Sequence, residues 1–148
     1  MVLGGAGAGG QTSAGTQTGS MTGGDGGGIV VFFAKKVVVT GAINANGGSG
    51  ASEQGESSTA RKVTAGSGAG GSILICSEDV TLGSSLLTAI AGVPVTPSGV
   101  EPFIGGAGAV GRIAIHYGRL ISGTTNPAAN EQQDNDFIQG SPSAYFLE

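Results

Sequence analysis

The residues able to do chemistry are few and scattered. A single imidazole, His116, stands beside Tyr117, and a ring that titrates near neutrality could carry protons or hold a metal. It has no company. The chain contains no second histidine, no cysteine pair and no carboxylate at ligand spacing, so His116 reads as a strand-end residue making an ordinary hydrogen bond. The serine-rich tracts offer many hydroxyls to a nucleophilic triad, but only one ring to activate them. Glu78-Asp79 is the only adjacent acidic pair. Acids this sparse nominate no carboxylate couple of the kind that cleaves glycosides, which needs two acids about 5–9.5 Å apart. Asp25, in Gly23-Gly24-Asp25-Gly26-Gly27-Gly28, has the glycine–aspartate setting in which some β-rolls bind calcium, yet no aspartate recurs in the matching place downstream.

Two glycine loops, Gly66-Ser67-Gly68-Ala69-Gly70-Gly71 and Gly106-Ala107-Gly108-Ala109-Val110-Gly111, superficially suit a phosphate cradle. A dinucleotide fingerprint needs a strand before the loop and a helix after it, whereas here a strand follows. Arg112 reads as a basic residue snorkelling from a strand start. The sequence therefore assigns no catalytic, cofactor-binding or metal residue, and the expectation is a protein that is not an enzyme.

The elements that would position any site are dominated by glycine, 31 of 148 residues, against an average usage of about 7%. Collagen is excluded because glycine does not recur at every third position along the chain and only five prolines are present. A mean hydropathy of +0.20 with a net charge of −4 is not the signature of charged disorder, so some core is buried. An acidic pI near 4.8 offers nothing to phosphate backbones or anionic lipid surfaces, so no nucleic acid is expected, and membrane insertion is not expected either because no apolar run is long enough. Cys76, the only cysteine, ends the apolar run Ile73-Leu74-Ile75-Cys76 and reads as a packed, inert thiol. No stretch reaches the roughly 20 apolar residues of a membrane helix, and no basic-then-apolar leader opens the chain. Met1-Val2 and Leu147-Glu148 read as junctions that leave any export signal outside.

Three segments repeat. They begin in register at Gly28, Gly71 and Gly111, offset by 43 residues (28 to 71) and 40 (71 to 111), within the range of about 20–50 residues expected of stacked repeats. Aligned so, Val30, Ile73 and Ile113 form one column, Phe32, Ile75 and Ile115 a second, and Val37, Val80 and Leu120 a third. Apolar residues two apart mark one face of a strand. The resulting expectation is an all-β, glycine-rich β-solenoid of about three rungs, each burying its inner face against its neighbours. The repeat domain would span 1–123, and 124–148 would be a polar linker and C-terminal cap or docking segment. Lys35-Lys36 aligns with Glu78-Asp79, placing opposite charges on adjacent strands. The outward positions Val31, Leu74 and Ala114 are apolar too and need a cover, either the glycine-rich connections 4–27, 47–70 and 99–110, which the reading favours, or a partner chain.

The unit Gly-Gly-x-Ile-Val-Val, then Val-x-Val-x-Gly-x-Ile-x-Ala-Asn-Gly-Gly, then Gly-Gly-Ala-Gly-Ala-Val-Gly-Arg-Ile-Ala-Ile, over about residues 23–123, resembles glycine-rich repeats of large surface or secreted proteins. Similar runs occur in bacterial surface proteins, plant glycine-rich cell-surface proteins and phage tail-fibre adhesins. The third repeat departs from the pattern: no Ala-Asn-Gly-Gly follows Leu120, and 126–136 is polar. The resemblance implies an extracellular, cell-surface or virion-surface module. The leading function is structural assembly through self-association into an oligomer or filament, with Tyr145-Phe146-Leu147 docking on a neighbour. The alternative is binding of a receptor or surface glycan by an adhesin. Ice binding by a threonine face is a third class, for which Thr40, Thr81 and Thr88 are too few and irregular.

Overall fold

The computed structural model describes residues 1–11, 20–52, 64–96, 104–119 and 121–134. Among these there are nine strands and no helix: β1 (Gly10–Gln11), β2 (Ser20–Met21), β3 (Ile29–Val38), β4 (Ile43–Asn44), β5 (Ser72–Thr81), β6 (Ser84–Thr88), β7 (Arg112–Arg119), β8 (Thr124–Asn126) and β9 (Asn130–Gln133). The β-branched, alternating runs that open each repeat become the long strands β3, β5 and β7. Their register is the one the glycines mark. Val30 lies level with Ile73 and Ile113, Phe32 with Ile75 and Ile115, and Val37 with Val80; Leu120 lies outside the described residues.

The solenoid expected from the repeat is not the architecture. The strands form two parallel sheets, a four-stranded one in the order β3-β5-β7-β9 and a three-stranded one in the order β4-β6-β8, with β1 and β2 pairing antiparallel on their own. The physical reason lies in the glycine-rich connections. Rungs of a coil stack in one direction, whereas these connections hydrogen-bond to neighbours running in both directions and pack around one another. They make a separate layer, and among the described residues no further parallel sheet closes a rung.

The core lies between the two sheets. Ile73, Ile75, Val80 and Leu82 meet Ala45, Leu87 and Ala89, with Val39, Ile113 and Ile115 completing the cluster. Burying one such aliphatic side chain fully, as at Ile75, stabilises the fold by about 1.5–3 kcal/mol. Along β5 and one residue past its end the buried apolar set changes phase, from Ile73 and Ile75 before Ser77 to Val80 and Leu82 after it, with Ser77 and Glu78 themselves buried where the phase changes. Residues 124–134, polar in sequence, supply β8 and β9, which pair with β6 and β7. The expected cover over the outward positions is incomplete: Val31 stays 41% exposed, because the glycine segments pack on each other.

Candidate functional site

The glycine segments are the most unusual feature, and their geometry follows from the backbone alone. Residues 65–71 run extended, and each amide donates to a carbonyl of another segment. Ala65, Gly68 and Gly71 donate to Ala51, Gly48 and Ala45 at 2.9, 2.9 and 2.7 Å; Gly66 and Ala69 to Ala8 and Gly5 at 2.9 and 2.8 Å; Ser67 and Gly70 to Gly106 and Ala109 at 3.0 and 2.9 Å. Each direction recurs every third residue, the period of a polyproline-II-type helix. The carbonyls continue the pattern. Gly66 and Ala69 accept from Gly24 and Gly27 at 2.9 and 2.8 Å, and Gly68 accepts from Gly92 at 2.9 Å. Segment 65–71 is thus enclosed by 4–9, 22–28, 45–51, 89–92 and 104–111.

Such close approach requires the absence of Cβ. A methyl on Gly68 would fall on the Asp25 carbonyl and one on Gly71 on the Gly28 carbonyl, both backbone atoms with no freedom to yield. The arrangement also shows why 66–71 makes no phosphate cradle: all its amides are already engaged. Thr64 and Ser67, each under 5% exposed, turn their hydroxyls to the Gly105 and Gly108 amides at 2.9 and 3.0 Å. Between 4–9 and 104–108, above 64–69, the bundle leaves an open groove of about 440 Å³ lined by Gly5, Ala8, Gly66, Ala69, Gly106 and Ala107.

The residues weighed for chemistry lie elsewhere and apart. His116 sits within β7, level with Cys76 of β5 and Gln132 of β9. Burial raises the Cys76 thiol above its ordinary pKa, which keeps it protonated. Among the described residues no three His, Cys, Asp or Glu side chains gather as a metal cluster would. Asp25 is exposed on 22–28, its carbonyl receiving the Gly48 amide at 2.7 Å. The aligned charges do meet. Lys36 is level with Asp79, and Asp79 with Arg119; Arg119 bonds the Glu78 carboxylate and lies 3.7 Å from Asp79, while Lys35 Nζ is 4.0 Å from Glu78. Glu78, with a side chain only 9% exposed, is the anchor of this cluster. It reads as a structural brace in the middle of β5, since its cations are engaged with carboxylates.

A second surface is open on the four-stranded sheet. On β3, Ile29, Val31 and Phe33 alternate along one face and are 42%, 41% and 68% exposed, and β3 is an edge strand. The C-terminal Tyr145-Phe146-Leu147 lies outside the described residues. No protein-family model matches the chain, and neither a curated protein nor a solved structure does.

Proposed function

We propose that this chain is a non-enzymatic structural module of an extracellular or cell-surface protein, and that it self-associates at the free edge of β3. The observation that carries this reading is the row Ile29, Val31 and Phe33 on a ten-residue edge strand. An edge strand of this length offers unpaired backbone donors and acceptors to another chain, and an apolar row beside it adds buried area on pairing. Native edges are usually blunted by lysine. Here Lys35 and Lys36 stand only after the apolar row.

The opposite edge of the same sheet is β9. Because the sheet is parallel, β9 of one copy can extend β3 of the next in the same direction, and a head-to-tail contact of that kind propagates into a filament or closes into a ring. Sedimentation velocity over a wide concentration range tests the proposal: mass should rise with concentration past that of a dimer for the natural chain, and Phe33→Lys should abolish the growth beyond a dimer. A natural chain that stays monomeric throughout contradicts it.

A further inference from the structure

We propose that the groove above 64–69 is a sixth place of the glycine bundle, which none of the described residues fills, and that a second copy of this chain fills it with its own segment 104–111. The inference goes beyond association at β3 and concerns a different surface. It starts from the order of the segments around 65–71. Segment 22–28 bonds 4–9 on one side, through the Gly4 and Gly7 amides at 2.8 Å, and 45–51 on the other, through Gly48 and Ala51 at 2.7 and 3.0 Å. Segment 89–92 in turn accepts from Gly47 of 45–51 at 2.9 Å and from Gly111 of 104–111 at 2.7 Å. The ring therefore runs 4–9, 22–28, 45–51, 89–92, 104–111, and the groove is the gap between its two ends.

A chain with three residues per turn presents three amide and three carbonyl directions, six in all. All three amide directions of 65–71 are taken. The carbonyls of Gly66 and Ala69 face 22–28, and that of Gly68 faces 89–92. The third carbonyl direction belongs to Ser67 and, one turn on, Gly70; no amide among the described residues donates to either. Ser67 is 4% exposed and lines the groove, so its carbonyl is an acceptor waiting where one more extended strand would run.

The wall of the groove identifies the occupant. On 104–111, the positions Ile104, Ala107 and Val110 recur every third residue, and all three are exposed, Ile104 by 51% and Val110 by 63%. They form an apolar ridge along one side of an extended strand, with the same three-residue step as the Ser67 and Gly70 carbonyls. A ridge beside a groove is self-complementary: under a two-fold axis each copy lays its 104–111 in the groove of the other, covering both ridges.

The test uses the full chain and a synthetic peptide of sequence Ile-Gly-Gly-Ala-Gly-Ala-Val-Gly, residues 104–111. Saturable binding is expected, with amide shifts confined to residues 5–9, 64–69 and 105–108. A Cβ on Gly5 or Gly106 meets nothing within 4 Å, so Gly5→Leu and Gly106→Leu keep the fold while obstructing the groove, and each should weaken binding by roughly tenfold or more, about 1.4 kcal/mol. Gly28→Leu, equally open but outside the groove, should bind as the natural chain does, and so should Phe33→Lys, which separates this contact from that at β3. Absence of saturable binding, shifts that map to β3, or indifference to Gly106→Leu would overturn the proposal.

Discussion

Ile75 and Gly68 sit at the centres of two regions that exclude water by opposite means. Around Ile75, bulky side chains from two sheets fill the space between backbones; around Gly68, backbones approach until no side chain fits between them. The first region gains from apolar area removed from water. The second buries little such area and is held by backbone hydrogen bonds, each contributing about 0.5–1.5 kcal/mol net, against the large entropy loss of ordering glycine. The bundle therefore depends on the sheets: 22–28, 65–71 and 104–111 each lead directly into β3, β5 or β7, and the fixed register of those strands sets the level of every glycine.

That contrast predicts opposite responses to substitution. Removing atoms should hurt one region, and adding them the other. Ile75→Ala should lower unfolding free energy by about 2–5 kcal/mol through lost burial and a cavity. Gly68→Val should cost about 3 kcal/mol or more, since overpacking against rigid backbone cannot relax by a rotamer change. Chemical denaturation of both variants checks the pair; a Gly68→Val protein as stable as the natural chain would show that the segments are not packed as described. Gly28→Ala is the control for the glycine argument. A Cβ there meets nothing within 4 Å and no positive φ strains it, so it should be neutral or stabilise by about 0.4–1 kcal/mol.

Smaller effects sharpen the picture of the sheet edge. Arg119→Ala leaves the largely buried Glu78 carboxylate, among the described residues, with Lys35 as its cation, 4.0 Å away. With Arg119 itself 57% exposed, the loss should be about 1 kcal/mol, reduced further by salt in an equilibrium unfolding series. Cys76 makes the smallest prediction. Its pKa is raised in the folded state by burial, so the stability it contributes is fully present below the pKa of the unfolded thiol and is lost as pH rises through the folded value. Thiol labelling at mildly alkaline pH should accordingly be slower in the native chain than in the unfolded chain.

The strand register was legible because Val30, Ile73 and Ile113 and their neighbours alternate with the period of a pleated strand, and Gly28, Gly71 and Gly111 mark the same point of each repeat. β8 and β9 were not. Thr124-Thr125-Asn126 and Asn130–Gln133 carry no apolar alternation, and pairing with β6 and β7 imposes the strand on them. The bundle left a trace that a chain-wide search dilutes. Gly24 and Gly27, Gly47 and Gly50, Gly68 and Gly71, and Gly105, Gly108 and Gly111 each keep a three-residue step, but strands interrupt it, so glycine fails the every-third-residue test over the whole chain. A repeat of about 40 residues also does not say how its connections run. A coil needs every rung to pass in one direction, and the return legs 45–51 and 89–92, antiparallel to 65–71, are what the period alone could not show. The groove, being a missing neighbour, had no residue signature at all.

Segment 65–71 is a buried, hydrogen-bonded strand at the heart of the bundle. Residue-resolved amide hydrogen exchange tests it most directly. Gly66, Ser67, Gly68, Ala69 and Gly70 should exchange slowly, with protection approaching that of Ile73 and Ile75 in β5. Exchange of these five amides at the rate of an unstructured peptide, while β5 remains protected, would contradict it.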